Sequence, residues 1–193
     1  MSLTKKAHDL IRQTFKEIQP NVAIDATCGN GHDSVFLSRF AKQIICFDIQ
    51  EQAILKTHAI LQENAQIEKA QLIQKSHVYL SNEINTRGLV NKVDIIMFNL
   101  GYLPNSSDLS ITTSAKTSVT AIKQSLDVLS EQGVISILCY RGHQGGTEEY
   151  QQISTHLKSL DKQDWKIAKY QSNNANEQTP VLLFLSKLAI GQN

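Results

Sequence analysis

The sequence predicts an α/β fold: a Rossmann-like, doubly wound, mostly parallel sheet of seven strands with a C-terminal antiparallel hairpin. Three observations carry this prediction. Short apolar runs alternate with amphipathic stretches along most of the chain, the pattern of repeated β-α units. The first run, residues 22–26, contains an acid at Asp25 and leads into a Gly-x-Gly turn at Gly29 and Gly31. The run 93–99, VDIIMFN, is apolar on both alternating faces, as a central parallel strand requires. One domain is expected over residues 1–193, with an N-terminal helix in 1–20 and a Rossmann-like core in 21–193.

Each element has its own reason. Residues 4–18 place Ala7, Leu10, Ile11, Phe15 and Ile18 on one helical face. Residues 22–26 read as the first strand and 33–42 as a helix carrying Val35, Phe36, Leu37 and Phe40. Residues 44–48 are a second strand ending in Asp48, and 50–64 a helix with Ile54, Leu55, His58 and Leu61 in register. Residues 71–75 form a weaker third strand, followed by a short helix over 77–84. After the fourth strand, a hydroxyl-rich segment over 105–113 leads into a helix over about 115–129. Gly133 turns the chain into a fifth strand, 134–140. The glycine-rich loop 141–146 then opens a helix to about Leu160. Residues 165–170 and 181–185 are the hairpin strands, separated by a polar stretch, 172–179, that reads as a mobile loop.

Composition narrows the function. Nineteen Lys and Arg against eighteen Asp and Glu give a net charge of +1. That balance excludes a histone-like binder but not an RNA enzyme with local basic groups. Cys28, Cys46 and Cys139 have no CxxC spacing, so they read as buried thiols, not as a disulfide framework or zinc site. His8, His32, His58 and His156 lack metal-ligand grouping and read as surface or satisfied core residues, so no metal is expected. The N-terminal residues have no signal-peptide apolar region and no stretch reaches membrane-span length. A cytoplasmic protein without membrane contact is the expectation.

The segment VAIDATCGNGHD suggests a nucleotide-type cofactor. Ser34 stands where the third glycine of a dinucleotide fingerprint would fall. Asp48 follows Asp25 by 23 residues and can accept both ribose hydroxyls of an adenosine. A cofactor without phosphates needs no pyrophosphate cradle, and Asp25 can serve a cationic ammonium, directly or through water. The pair of acids therefore favours S-adenosylmethionine over NAD or FAD. The plainer alternatives are a tight strand-helix turn and a helix-capping Asp25. Ser76 and His77 follow the third strand, where the adenine would lie, although His77 is equally a simple helix start.

The fourth strand ends in Asn99-Leu100-Gly101-Tyr102-Leu103-Pro104. Methyl transfer is an in-line displacement, so an amine substrate must point its lone pair at the sulfonium methyl. An Asn carbonyl can accept the amine hydrogens, and an aromatic ring can exclude water. Asn99 and Tyr102 are the candidate catalytic pair, against the alternative of a simple Gly101–Pro104 turn. The loop Tyr140-Arg141-Gly142-His143 offers donors to an anionic guest, or is a solvated loop. Lys5, Lys6, Arg12 and Lys16 on the first helix, with Arg141, are candidate phosphate contacts.

The motifs DATCGNGHDS, FDIQ, NLGYLP and YRGHQGGTEE, in this order, resemble a family of small class I methyltransferases labelled as rRNA methylases, whose members act as tRNA 5-(aminomethyl)-2-thiouridine methyltransferases. The resemblance runs over residues 22–188. It implies N-methylation of 5-aminomethyl-2-thiouridine at the tRNA wobble position, with the anticodon stem-loop as partner. The cofactor side of the resemblance covers Asp25, Gly29, Asn30, Gly31, Asp33, Asp48 and Gln50. Thr27, Ile49, Ser76, His77 and Asn99 complete the candidate cofactor set. Leu100, Gly101, Tyr102, Tyr140, Arg141 and His143 form the candidate substrate set. Ser34 replaces a usual Thr and keeps the hydroxyl. Asn105-Ser-Ser stands where glycines are common, and the 140–146 loop lacks two usual prolines. Alternatives at this stage are a ribosomal-RNA base-amine methyltransferase, a small-molecule amine methyltransferase and a non-catalytic cofactor-binding module. A homodimer is left open.

Overall fold

The computed structural model describes residues 2–101 and 112–188. The elements run α1 (Leu3–Thr14), β1 (Val22–Asp25), α2 (His32–Phe40), β2 (Gln43–Asp48), α3 (Glu51–Glu63), β3 (Ala70–Gln74), α4 (Leu80–Thr86) and β4 (Val93–Leu100). They continue as α5 (Ala115–Val128), β5 (Leu129–Cys139), α6 (Gly146–Lys158), β6 (Trp165–Tyr170) and β7 (Val181–Lys187). Single 3-10 turns at Ile67–Lys69 and His77–Tyr79 lead into β3 and α4. The first of these turns has no counterpart in the periodicity.

The sheet order is β3-β2-β1-β4-β5-β7-β6. Strands β1 to β5 pair in parallel, and β7 runs antiparallel between β5 and β6. The expected hairpin is present, and its second strand is the one that joins the parallel sheet. Strand order reverses between β1 and β4, so the loops at their carboxyl ends diverge and leave a crevice there.

Both faces of the sheet are covered. Ile24, Phe47, Ile96, Phe98, Ile135 and Ile137 pack with residues of α4, α5 and α6. Ala23, Ile44, Cys46, Ile95, Met97 and Leu138 pack with residues of α1, α2 and α3. Alternate residues of each central strand thus serve opposite cores, which explains their continuous apolar runs. All three cysteines are buried free thiols, and burial raises their pKa.

Helix α1 is shorter than its apolar periodicity suggests. It ends at Thr14, and Ile18 is half exposed instead of lying on the buried face. Pro20 disfavours helical backbone at Gln19, and the chain leaves the helix before it. Strand β5 begins earlier than expected, at Leu129. Its register with β4 shifts so that Val93 faces Leu129 while Ile95 faces Val134. Residues 130–133 take up the extra length as an irregularity within β5, and a Cβ on Gly133 would collide with the Leu129 side chain.

The same irregularity explains an acid inside a buried strand. Asp94 accepts hydrogen bonds from the Asn21 N–H at 2.6 Å, the Ser130 hydroxyl at 2.7 Å and the Val22 N–H at 3.4 Å. One carboxylate therefore joins the entries of β1 and β5 to β4. Removing it strands partly buried donors, which costs about 1–3 kcal/mol. Asp94→Ala is expected to lower unfolding free energy by about that amount in urea titrations. An unchanged denaturation midpoint would refute this role.

Candidate active site

The crevice between β1 and β4 is a cavity of about 350 Å³. The turn after β1 supplies Thr27, Gly29 and Asn30, and α2 supplies His32 and Asp33. Asp48, Ile49 and Gln50 come from the end of β2, and Lys75, Ser76 and His77 from the segment after β3. Asn99 and Gly101 follow from β4, and Tyr140 from the loop after β5. Most of the residues expected at a cofactor therefore share one wall, although they span residues 27–99. Asp25, Gly31, Leu100, Arg141 and His143 are not part of the lining. Tyr102 lies outside the described residues.

Asp25 is fully buried behind the turn. It accepts a 2.6 Å hydrogen bond from the Ser34 hydroxyl and a 3.3 Å bond from the Thr27 N–H. It therefore braces the turn against α2 and is set back from the cavity lining. The hydroxyl kept at Ser34 has this carboxyl as its partner. Burial pushes the Asp25 pKa up to about 7, assisted by the nearby Asp33 carboxylate. Gly31 is also structural. Its φ is +81°, and a Cβ there would approach Thr57 Cα to 2.9 Å, so it permits the left-handed entry to α2 and the close packing of α3.

Asp48 faces the cavity with its carboxylate fixed by backbone. The Gly29 N–H donates to Oδ2 and the Gln50 N–H donates to Oδ1, each at 3.0 Å. Burial raises its pKa against these bonds. His77 is buried against the Phe98 ring edge, and desolvation lowers its pKa to about 4. Its buried Nε2 has no hydrogen-bond partner among the described residues. Desolvation thus holds the ring in its neutral form near pH 7.

Asn99 is held twice. Its N–H donates to the Thr27 hydroxyl at 2.7 Å, and its side-chain NH₂ donates to Asp33 Oδ2 at 2.6 Å. A carboxylate accepts only, so the amide is oriented with Oδ1 as its remaining acceptor. The other Asp33 oxygen, Oδ1, accepts from His8 Nε2–H at 2.6 Å. His8, read from sequence as a surface or satisfied core residue, is thus tied to the site. The reading missed it because His8 and Asp33 are 25 residues apart with no motif linking them.

Arg141 does not face the cavity. Its guanidinium donates to the Thr179 carbonyl at 2.7 Å and to the Asn176 carbonyl at 2.6 Å, and covers the Tyr150 ring. It staples the 172–179 stretch that the sequence presents as mobile. Arg12 is paired with Asp9 and Lys16 with Glu17, while Lys6 lies over Tyr170. Sequence reasoning also missed the far wall, formed by Thr4, Thr112, Thr113, Ser114 and Thr117. The hydroxyl-rich segment before α5 was its signal. Buried Glu149 of α6 anchors that wall by accepting from the Thr113 hydroxyl at 2.9 Å and the Ser118 hydroxyl at 2.6 Å.

The raised pKa of Asp25 has a stability consequence. Between pH of about 4 and 7 the unfolded chain has lost this proton while the folded chain keeps it. Its contribution to stability therefore falls as pH rises through that window and is flat above it. Asp25→Asn keeps an acceptor for Ser34 and removes the ionisable group. The variant is expected to gain on wild type by up to a few kcal/mol from pH 4 to 7, read as denaturation midpoints. A wild-type minus variant difference that is constant with pH would contradict the buried-carboxyl reading.

The family described as "Putative rRNA methylase" matches residues 44–186. A tRNA (mnm5s2U34)-methyltransferase of Arabidopsis thaliana chloroplasts is 30% identical over 95% of this chain and 70% of its own length. Among solved structures, a "putative rRNA-methylase" from Clostridium thermocellum has a TM-score of 0.86 at 30% identity, covering 96% of this chain and 97% of its own. A "putative methyltransferase" from Streptococcus mutans in complex with S-adenosylhomocysteine has a TM-score of 0.79 at 35% identity, covering 93% of this chain and 97% of its own. The sheet order and crevice are accordingly those of a class I methyltransferase. The chain belongs to this rRNA-methylase family of methyltransferases, and S-adenosylmethionine is its methyl donor.

Proposed function

We propose that this enzyme methylates the primary amine of 5-aminomethyl-2-thiouridine at the wobble position of tRNA, giving 5-methylaminomethyl-2-thiouridine. The observation that carries the reading is the fixed Asn99 amide. Its NH₂ is committed to Asp33, which leaves a carbonyl oxygen to accept hydrogens from a substrate amine in the cavity that Asn99 lines. The activity for which the Arabidopsis relative is named supports tRNA and its wobble uridine as the substrate. The family and the Clostridium thermocellum structure bear rRNA-methylase names, so a base amine of ribosomal RNA is the competing substrate.

The described residues fit the methyl donor. Asp48 presents a carboxylate for ribose hydroxyls, while Ile49 and the neutral His77 offer apolar surface for a heterocycle. Gly29, Asn30 and Thr27 line the approach toward Asn99. S-Adenosylmethionine, when bound, supplies an electrophilic methyl on a sulfonium. The protein's task is then positioning and water exclusion. Asn99 orients the amine through Oδ1. Asp33, 7% exposed, places negative charge beside it, and this favours capture of the amine in its protonated form. Only the neutral amine attacks, so the captured ammonium passes one proton to solvent water before its lone pair takes the methyl from the sulfonium.

Two variants test the assignment. Asp48→Ala is expected to weaken S-adenosylmethionine binding by about 1.5–3 kcal/mol in calorimetry. Unchanged affinity would remove Asp48 from the donor site. Asn99→Ala is expected to slow single-turnover methylation of hypomodified tRNA on the order of a hundredfold, with donor affinity kept within a small factor. Ribosomal RNA assayed in parallel should accept no methyl. A near-normal single-turnover rate in Asn99→Ala would end the amine-positioning role.

A further inference from the structure

His8 stands in the second turn of α1, away from every motif that marks the site. Its ring stacks on Phe36 of α2 with centroids 3.7 Å apart and planes 10° from parallel. This stack fixes the ring plane, and Nε2–H meets Asp33 Oδ1 at 2.6 Å. Asp33 Oδ2 takes the Asn99 amide at the same distance. The carboxylate is nearly buried, so water does not readily replace either donor.

A carboxylate bridging two donors, one on each oxygen, resists rotation about its last bond because turning weakens both contacts. Without the imidazole N–H, Asp33 is free to turn, and the Asn99 amide loses the contact that sets which of its ends faces the substrate. We infer that His8 is a positioning residue for methyl transfer, acting through Asp33 on the orientation of Asn99. The inference rests on the amine-methylation reading for its kinetic consequence. The geometry of the His8–Asp33–Asn99 chain stands apart from the identity of the RNA.

Packing and donation can be separated at this residue. His8→Phe keeps a ring to stack on Phe36 and removes the donor. His8→Gln removes the ring and returns an N–H at a similar reach. A positioning role predicts that His8→Phe lowers kcat by about tenfold or more while RNA KM and donor Kd stay within about twofold. His8→Gln should recover to within about threefold of wild type. In an Asn99→Ala background, His8→Phe should cost less than about twofold more, because the two residues act in series.

Side-chain amide NMR on protein labelled with ¹⁵N-asparagine supplies a readout that needs no substrate. The Asn99 NH₂ resonances should shift and exchange faster with solvent in His8→Phe, and return in His8→Gln. The inference is overturned if His8→Phe turns over normally, if His8→Gln is impaired as much as His8→Phe, or if the His8→Phe loss is undiminished beside Asn99→Ala. If wild-type enzyme leaves the tRNA amine unmethylated, the amine reading fails by itself. The NMR comparison then decides alone, and Asn99 signals unaltered by His8→Phe would overturn the positioning role.

Discussion

The double anchoring of Asn99 is the constraint on which the site depends. Adjacent parallel strands at a switch point send their following loops in opposite directions, so nothing in the sheet itself holds those loops together. Here the Asn99 N–H meets the Thr27 hydroxyl and the Asn99 side chain meets Asp33. The end of β4 is thereby tied to both the turn after β1 and the first turn of α2. The cavity floor is a cross-linked piece of backbone, not two free loops. His8 extends the tie to α1, and Glu149 performs the equivalent service for the far wall through Thr113.

The electrostatics follow from this packing. Asp25, Asp33 and Asp48 converge because each braces a different segment around the crevice. Desolvation and the neighbouring carboxylates raise the Asp25 pKa to about 7, so its negative charge is only partly expressed near neutrality. Asp33 and Asp48 face the cavity instead. A site of this sign attracts cationic groups and repels a phosphate bridge. That preference suits a sulfonium donor and an ammonium-bearing substrate, and disfavours a dinucleotide.

Much of this was legible in the sequence because it is governed by local pattern. Continuous apolar runs announced the central strands, and the acids at strand ends announced the crevice. Asp48, Ser76, His77 and Asn99 stand at or just after the carboxyl ends of strands, and all four line the cavity. Side-chain direction was not legible. Asp25 and Asp33 sit within one motif, yet one is buried against Ser34 and the other lines the cavity. Arg141 follows a strand's carboxyl end, but the carbonyls of residues 176 and 179 capture it. His8 carried no local signal, since its role arises only when α1 docks on α2. The irregularity at Asp94 was equally hidden, because it needs three strand entries to meet.

Nucleoside mass spectrometry of total tRNA from a strain lacking this gene tests the central claim most directly. The account predicts that 5-aminomethyl-2-thiouridine accumulates, that its N-methyl product disappears, and that the wild-type gene but not its Asn99→Ala variant restores the product. An unchanged wobble nucleoside pool, with a base-amine methyl missing from ribosomal RNA instead, would contradict it.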